Sequence, residues 1–304
     1  MIFPDEILSR HSAIRIGGPA EFLALPDSLP DLLEILEGVS CGRLPGPVKY
    51  VGNASNLLFP DTGMAGTVIS LKRMGDFRVL DGGLIEADAG AYLPRLAFHA
   101  ARKGIGGFGF LSGIPGTVGG GIVMNAGTRV SEVSEVLLEV RVIDLSGRIY
   151  ALSRSDLAFG YRSSPFREPG SFLESPSYGS CAIIGATFLG RSGDSSRLME
   201  EWESLRRERA RAQPLTIPNL GSVFRNPKGC FAGQLIEQSG WKGQKRGGIL
   251  VSPQHANFFV NVENGLARDF RSLMDSVKES VYRDSGVLLE AEVELLPDLS
   301  PASV

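Results

Sequence analysis

The stretch FLSGIPGTVGGGIVMNAG, residues 110–127, is the part of the sequence on which the assignment of the fold depends. Six of its eighteen positions are glycine, yet its apolar residues are not those of a disordered linker. Glycine leaves the backbone open to close approach by another group, and Pro115 fixes one dihedral in the middle of the run. The approaching group is a phosphate, a ring or another segment of the chain.

Two familiar nucleotide-binding loops are excluded. The run GIGGFG at 104–109 satisfies G-x-G-x-x-G, but it follows a predicted helix, whereas the dinucleotide fingerprint follows a strand and opens a helix. No GK[ST] occurs anywhere, so the chain has no P-loop. A bound nucleotide would have to use a different loop.

A second loop of the same character lies at VGNASN, residues 51–56. Its small residues and backbone N–H groups could surround a pyrophosphate, although for this loop taken alone a plain turn is the better explanation. For GIPGTVGGG the alternative is close packing of backbone against backbone. The presence of both loops, followed by the polar MNAG at 124–127, favours a ligand.

The remaining pattern predicts a mixed α+β fold without the regular alternation of a doubly wound sheet. Apolar periodicity and end signals predict helices at 28–38, 91–103, 197–214 and 266–286. Strands are predicted at 48–52, 66–71, 77–90, 136–153, 180–190, 255–262 and 287–296, with turns at 82–83 and 146–147. The highly charged helix from residue 197 indicates a domain boundary just before it.

Composition excludes several classes of function. The net charge is −3 and neither end carries a run of like charge, so no footprint for nucleic acid or an anionic membrane is visible. The beginning of the chain lacks the pattern of a signal peptide, and no apolar stretch reaches spanning length. Three cysteines without CxxC spacing fit a reducing compartment, which predicts a cytoplasmic protein. The three histidines show no metal-ligand spacing, so no metal site is predicted.

Three segments carry candidate chemical groups. FGYRSSPF places Tyr161 beside Arg162, whose planar fork suits a substrate carboxylate, although a surface salt bridge is the more common role. Ser222 in NLGSVFRNP is a candidate proton donor or a simple helix cap. In VLLEAEVELL, alternation puts Glu290, Glu292 and Glu294 on one face, and periodicity cannot choose among them.

Seven segments together resemble the UDP-N-acetylenolpyruvoylglucosamine reductase family in the family's own order. They are HSAIRIGGPAEFLALPDS, VGNASNLLFPDTGMAGTVI, FLSGIPGTVGGGIVMNAG, FGYRSSPF, QPLTIPNLGSVFRNPKGCFAGQLIEQSGWKG, HANFFVN and LLEAEVELL. The resemblance implies an α+β protein with a two-part FAD-binding region of mixed and antiparallel sheets, not of the Rossmann type, at 1–71 and 72–196. An α+β substrate-binding domain at 197–304 would follow.

The resemblance also implies which residues hold FAD. They are Gly52, Asn53, Ala54, Ser55, Asn56, Ile114, Pro115, Gly116, Thr117, Gly119, Gly120, Asn125, Ala126 and Gly127. We therefore expect that Gly116 or Gly119 cannot accept a bulky side chain without loss of flavin.

The reaction implied by the resemblance is reduction of UDP-N-acetylglucosamine enolpyruvate to UDP-N-acetylmuramate, with NADPH as co-substrate, for peptidoglycan synthesis. The family's catalytic residues correspond to Arg162, Ser222 and Glu292. Arg162 would stabilise the developing enolate, Ser222 would donate the proton, and Glu292 would orient the intermediate or relay a proton. The implied substrate contacts are Tyr161, Arg209, Asn226 and His255. A monomer is expected.

Three departures from the family pattern have structural consequences. Ala54 stands where a second glycine is common, so either Ala54 tolerates the local backbone or the loop is shifted. TRVSE follows MNAG where a small-aromatic-glycine run is common. The interval between Arg162 and Ser222 has little room for the tyrosine-bearing loop of one subgroup, which predicts the shorter subgroup with a more open site.

Two rival functions stay open at this point. One is a flavin-dependent oxidase or dehydrogenase with a different substrate on a related fold, which should lack the GSVFRNP and HANFF segments. The other is a non-catalytic nucleotide-sugar-binding protein, against which the joint presence of Arg162, Ser222 and Glu292 argues.

Overall fold

The computed structural model describes residues 1–167 and 181–297, and these form two compact units. Unit 1 comprises Met1–Phe3, Phe22–Asn53 and Gly66–Glu208. Unit 2 comprises Pro4–Glu21, Ala54–Ala65 and Arg209–Val304, of which residues 298–304 lie outside the described part. These units are defined by compactness alone. The predicted functional domains, with limits at 71/72 and 196/197, stay a prediction.

The helices and strands are as follows in chain order. The helices are α1 (Leu29–Ser40), α2 (Leu93–Arg102), α3 (Val118–Val123), α4 (Val133–Val136), α5 (Ser195–Ala212), α6 (Ala232–Gln238) and α7 (Ala267–Ser285). The strands are β1 (Ile2–Ile7), β2 (Pro19–Ala24), β3 (Val48–Val51), β4 (Leu57–Leu58), β5 (Met64–Ser70), β6 (Phe77–Val79), β7 (Leu84–Asp88), β8 (Ile105–Gly106), β9 (Leu137–Ile143), β10 (Ile149–Ser153), β11 (Ala182–Leu189), β12 (Arg191–Ser192), β13 (Asn219–Ser222), β14 (Lys245–Arg246), β15 (Ile249–Val251), β16 (Phe258–Asn261) and β17 (Glu294–Leu295).

Unit 1 is built on a five-stranded sheet in the order β10-β9-β11-β7-β6, in which all neighbouring strands are antiparallel. One face of the sheet is buried, and there Val140, Val142, Ala186 and Phe188 are fully or almost fully enclosed. Helix α2 contributes Leu96 to the same core. A separate four-stranded sheet has the order β1-β2-β5-β3, in which β3 and β5 are parallel.

Unit 2 has its own core between α7 and a four-stranded sheet ordered β13-β16-β15-β14. The three-and-four spacing along α7 places its apolar residues on one face, and each of them is buried: Phe270, Leu273, Met274, Val277 and Val281. The helix ends at Gly286, which adopts a left-handed conformation with φ of 71°. The short strands β4 and β17 pair in parallel.

The predicted α+β class is confirmed, as are the four long helices, within two residues at most ends. The predicted hairpin around Gly147 is also confirmed, because β9 and β10 pair through Ile143 and Ile149 and Gly147 has φ of 81°. Ser180 of the predicted 180–190 strand lies outside the described residues, and the strand runs over β11.

Two parts of the secondary-structure prediction are wrong. The glycine-rich stretch contains the helix α3, which no local propensity predicts because three of its six residues are glycine. Residues 287–296 do not form one strand: only Ala291, in an isolated bridge, and β17 are paired. The segment divides its backbone hydrogen bonds between two different partners, so a continuous ladder is not formed.

No helix in the ranges 1–167 and 181–297 is long and apolar enough to cross a membrane.

Candidate functional site

The two glycine-rich loops meet in unit 1. The side-chain amide of Asn53 donates a hydrogen bond of 3.1 Å to the carbonyl oxygen of Pro115. A Cβ atom placed on Gly52 would lie 2.3 Å from Thr117 Oγ1, which is closer than such atoms approach. Glycine at position 52 therefore allows the first loop to reach the second.

The second loop is pinned to the segment that precedes α2. The N–H of Leu93 donates to the carbonyl oxygen of Gly116 at 3.0 Å, and the N–H of Gly119 donates to the carbonyl oxygen of Ala89 at 2.8 Å. A Cβ on Gly119 would lie 3.1 Å from that of Ala89. Close packing of the chain on itself thus accounts for Gly119, which is the alternative that the sequence left open for this run.

Gly120 is different from its neighbours in the same helix. It is exposed, and a Cβ there would meet only Thr117 Oγ1, at an ordinary 3.6 Å. Its backbone N–H faces the same hydroxyl at 3.5 Å, as the N-cap of α3. Since the protein itself does not fill this space, Gly120 is the glycine that is free to face a ligand.

Ala54 adopts a left-handed backbone conformation with φ of 45°. Alanine thus adopts here a backbone conformation that glycine favours. The methyl group is buried and the carbonyl oxygen accepts from the N–H of Ala13 at 3.4 Å. A left-handed residue is one of the two elements of an anion-binding nest, which pairs a right-handed with a left-handed residue.

Asn56 belongs to unit 2 and contacts the last described segment of the chain. Its side-chain amide donates to the carbonyl oxygen of Glu292 at 3.2 Å, and its own carbonyl accepts from the N–H of Glu294 at 3.0 Å. Ser55, beside it, is half-buried. The Asn56 side chain therefore positions the backbone around Glu292.

Residues 125–127 are engaged by the rest of unit 1. Asn125 is fully buried, and Ala126 exchanges backbone hydrogen bonds with Gly121 and Val133, at 2.8 and 2.9 Å. A Cβ on Gly127 would lie 2.7 Å from the carbonyl oxygen of Ser131. The TRVSE departure thus folds back tightly on MNAG, which requires the glycine.

Tyr161 and Arg162 occupy the two central positions of a tight turn closed by Gly160 and Ser163. Arg162 has φ of 53°, an uncommon conformation for a residue with a side chain. Its Nη2 donates to the carbonyl oxygen of Gly127 at 2.8 Å, and its guanidinium lies 5.0 Å from the centre of the half-exposed Tyr161 ring. Residues 168–180 lie outside the described part. The predicted absence of a tyrosine-bearing loop between Arg162 and Ser222 therefore stays a prediction.

Ser222 and Glu292 lie on adjoining segments of unit 2. Ser222 ends β13 and pairs with Phe258, and the carbonyl oxygen of the next residue, Val223, accepts from the N–H of Glu292 at 2.8 Å. Gly221, with φ of 74°, lies inside β13 where the register with β16 shifts between Asn219 and Ser222. Ser222 is part of a strand and not a helix cap.

Asn226 and His255 also belong to unit 2. The Asn226 side-chain oxygen accepts from the N–H of Ala232 at the start of α6, at 3.1 Å. His255 Nδ1 accepts from the N–H of Asn257 at 3.3 Å, and the ring lies 4.8 Å from that of Phe258. Burial lowers the pKa of His255 below its ordinary 6.5. With Nδ1 as the acceptor, the neutral ring carries its hydrogen on Nε2.

Arg209 lies near the end of α5, where its Nε donates to Gln213 Oε1 at 2.7 Å. This contact holds the side chain along the helix.

Sequence reasoning missed Asn257, which holds the segment carrying Ser222. Its side chain exchanges two hydrogen bonds with the backbone of Phe224, at 3.0 and 2.8 Å, and it is almost completely buried. An asparagine inside the apolar run HANFFV is a pattern that indicates such a role, because a buried amide must find partners. In the part of the chain that the structure describes, no group of three or more His, Cys, Asp or Glu could hold a metal.

The chain is similar to known proteins over almost its entire length. Residues 213–296 match the family described as "UDP-N-acetylenolpyruvoylglucosamine reductase, C-terminal domain", and residues 20–153 match "FAD binding domain".

Individual relatives give the same result. A protein of Lactococcus lactis subsp. cremoris named UDP-N-acetylenolpyruvoylglucosamine reductase is 39% identical, with 96% of this chain and 93% of that one covered. One of Symbiobacterium thermophilum, named UDP-N-acetylenolpyruvoylglucosamine reductase 2, is 40% identical over 95% and 90%. The crystal structure of the reductase from Thermus caldophilus superimposes with a TM-score of 0.79 at 30% identity, covering 96% of this chain and 98% of that one.

Proposed function

The chain belongs to the UDP-N-acetylenolpyruvoylglucosamine reductase family, and from this membership we propose that it reduces UDP-N-acetylglucosamine enolpyruvate to UDP-N-acetylmuramate with FAD and NADPH. The observation that carries the proposal is the backbone hydrogen bond from Glu292 to Val223, because it brings the two candidate residues Glu292 and Ser222 onto adjoining segments.

The residues present fit a flavin nucleotide. Gly120 offers an exposed position where an added Cβ would meet only the Thr117 hydroxyl, and Ala54 supplies the left-handed element that an anion-binding nest needs. We propose that Gly52–Ser55, Ile114–Thr117 and Gly120 hold FAD through backbone N–H groups and small side chains. FAD, when bound and reduced by NADPH, supplies the hydride for the enolpyruvyl double bond.

Arg162 is proposed to stabilise the negative charge that develops on the enolpyruvyl carboxylate side. Its guanidinium donates to the carbonyl oxygen of Gly127 and lies against the Tyr161 ring, so it is held in place before the substrate arrives. Pre-organised charge is more effective than a mobile side chain, because no reorganisation accompanies the reaction.

Ser222 is proposed to donate the proton to the carbon next to the one that receives hydride. A serine hydroxyl is a weak acid, but an enolate is a sufficiently strong base to accept its proton. Glu292 is proposed to orient the intermediate or return the proton to the serine. Tyr161, Asn226, Arg209 and His255 are proposed substrate contacts; the Asn226 side-chain N–H₂ donates to no partner recorded within the described ranges.

A different flavin-dependent oxidoreductase is the rival function. The match of residues 213–296 to the reductase C-terminal domain argues against it, because that part includes the GSVFRNP and HANFF segments.

We also propose a cytoplasmic location and a monomeric state. The cysteines at 41, 181 and 230 are free thiols, as expected in a reducing compartment. Light scattering after size exclusion measures the oligomeric state, and a dimer mass contradicts that part of the proposal.

The function is tested with the purified protein in two half-reactions. The visible spectrum should show bound flavin, NADPH should bleach it without oxygen, and UDP-N-acetylglucosamine enolpyruvate should restore the oxidised spectrum. A colourless protein, or a reduced flavin that this substrate never reoxidises, contradicts the assignment. Ser222→Ala should keep the first half-reaction and slow the second by about 10²-fold or more; equal loss of both would make the serine structural.

A further inference from the structure

We propose that Asn125 and Glu132 form a brace that positions the turn of Arg162, and that both are positioning residues for the substrate half-reaction. This inference rests on the proposed function for the role of Arg162. The brace consists of the Asn125 side chain, the Glu132 carboxylate and the carbonyl oxygen of Gly160.

The Asn125 side chain makes three hydrogen bonds, all to protein atoms. Its Nδ2 donates to Glu132 Oε2 at 2.7 Å and to the carbonyl oxygen of Gly160 at 2.9 Å, and its Oδ1 accepts from the N–H of Ser134 at 3.1 Å. The residue is fully buried. Its amide therefore makes these three hydrogen bonds inside the protein.

Asn125 holds this place at an energetic cost. Its φ of 40° is a left-handed conformation, which asparagine adopts more readily than other residues with side chains. Such conformations persist where the surroundings over-determine them and cluster near functional sites. Here the surroundings are three hydrogen bonds that converge on one buried amide.

Glu132 reaches Asn125 because the chain folds back on Gly127. The two residues form an antiparallel bridge, and a Cβ on Gly127 would lie 2.8 Å from Glu132 Cγ. Any larger residue at position 127 would push the glutamate side chain away. The length of the glutamate side chain also matters, because Oε2 must come within hydrogen-bond distance of Asn125 Nδ2.

The brace acts on the turn of Arg162 from both ends. Gly160, whose carbonyl accepts from Asn125, is the first residue of the turn, and Arg162 itself donates to the carbonyl oxygen of Gly127. Just after the turn, the hydroxyl of Ser164 donates to the carbonyl oxygen of Val123 at 2.6 Å. Segment 123–127 thus fixes the backbone on which the guanidinium is carried.

Three substitutions of Glu132 separate reach from charge. Glu132→Gln keeps the length and an acceptor oxygen but removes the charge, whereas Glu132→Asp keeps the charge and withdraws the acceptor by one methylene. Glu132→Ala removes both. Glu135→Ala is the matched control, since this exposed carboxylate of α4 lies three residues from Glu132 and accepts from the hydroxyl of Ser131.

The first measurement is flavin reoxidation by the enolpyruvyl substrate. We expect Glu132→Asp and Glu132→Ala to slow it by about 10- to 100-fold, because small misplacements of a catalytic group have effects of this size. Glu132→Gln and Glu135→Ala should stay close to the wild type, and flavin content and reduction by NADPH should change little in all four. A slow Gln variant with a normal Asp variant would assign the role to charge and overturn the brace, and parallel loss of both half-reactions with flavin would make Glu132 merely structural.

The second measurement does not depend on catalysis. The N–H of Ser163 is bonded to the carbonyl oxygen of Gly160, so its hydrogen exchange reports on the turn. Exchange in the peptide containing Ser163 should accelerate in Glu132→Asp and Glu132→Ala and not in Glu132→Gln or Glu135→Ala. Unchanged exchange in all four variants refutes the brace, whatever the substrate does. Failure of the wild-type flavin to be reoxidised by this substrate contradicts the proposed function and leaves the exchange test in force.

Discussion

The N–H of Glu292 donates a hydrogen bond of 2.8 Å to the carbonyl oxygen of Val223, the residue directly after Ser222. Two residues before Glu292, the carbonyl oxygen of Glu290 accepts from the N–H of Arg225 at 2.9 Å. Two residues after Glu292, the N–H of Glu294 donates to the carbonyl oxygen of Asn56. The three glutamates of the terminal segment therefore have different backbone neighbours, although the sequence places them on one face.

This difference predicts that the three glutamates are not equivalent in catalysis. Glu292→Gln should slow flavin reoxidation by the enolpyruvyl substrate by about 10²-fold or more, because it removes a group for orientation or proton relay next to the serine. Glu290→Gln and Glu294→Gln are isosteric controls and should stay close to the wild type. Stopped-flow absorbance of the flavin measures all three, and equal rates for the three variants would contradict the assignment.

Gly120 and Gly52 should respond differently to alanine. Gly120→Ala places a methyl group in open space within a helix, where alanine stabilises by about 0.5–1 kcal/mol, yet it should weaken FAD binding because the methyl group obstructs the ligand. Gly52→Ala should lower both stability and flavin content, since its Cβ displaces the Thr117 hydroxyl that caps α3.

Thermal unfolding and flavin titration distinguish the two effects. If Gly120→Ala bound FAD as tightly as the wild type, the space at Gly120 would not be a ligand surface. A bulky residue at Gly119 is a less informative test. Its side chain would collide with Ala89, so any loss of flavin would accompany a loss of packing.

Asn257 should contribute to both stability and the substrate half-reaction. Asn257→Ala leaves the buried N–H and carbonyl groups of Phe224 without their side-chain partners, which should destabilise the protein by about 2–3 kcal/mol. Denaturant unfolding measures this loss. Reoxidation by substrate should also slow, because the same backbone carries Ser222; an unchanged rate in a destabilised variant would show that the serine is positioned by other contacts.

His255 should make stability fall on acidification. Its folded pKa lies below the ordinary 6.5 chiefly because of burial, with Lys242 acting in the same direction and Glu237 in the opposite one. Between the two values the unfolded state binds more protons, so stability is fully present above pH 6.5 and is lost as the pH falls through the folded pKa. The midpoint of urea unfolding should decrease in this window, and less so in His255→Gln. Identical pH profiles would exclude the histidine as the cause.

Sequence patterns were most reliable where periodicity and burial agree. The apolar face of α7 and the hairpin around Gly147 depend on local spacing and on one glycine, and both appear as predicted. The helix α3 was not predictable, because Val118–Val123 has poor intrinsic propensity and is held by contacts with Ala89, Ala91 and Leu93. Residues 287–296 alternate like a strand, but their partners change along the segment.

The sequence by itself determined the class of fold, the family and the identity of the candidate groups, because motifs such as GIPGTVGGG, GSVFRNP and HANFF are carried by residues in order. Only the tertiary structure decided what each group contacts. It showed that Gly119 faces Ala89 while Gly120 stays open, and that the Asn125 amide is used by Glu132 and Gly160. Such pairings depend on backbone direction and on which distant segment satisfies each buried polar group, and neither is encoded in spacing along the chain.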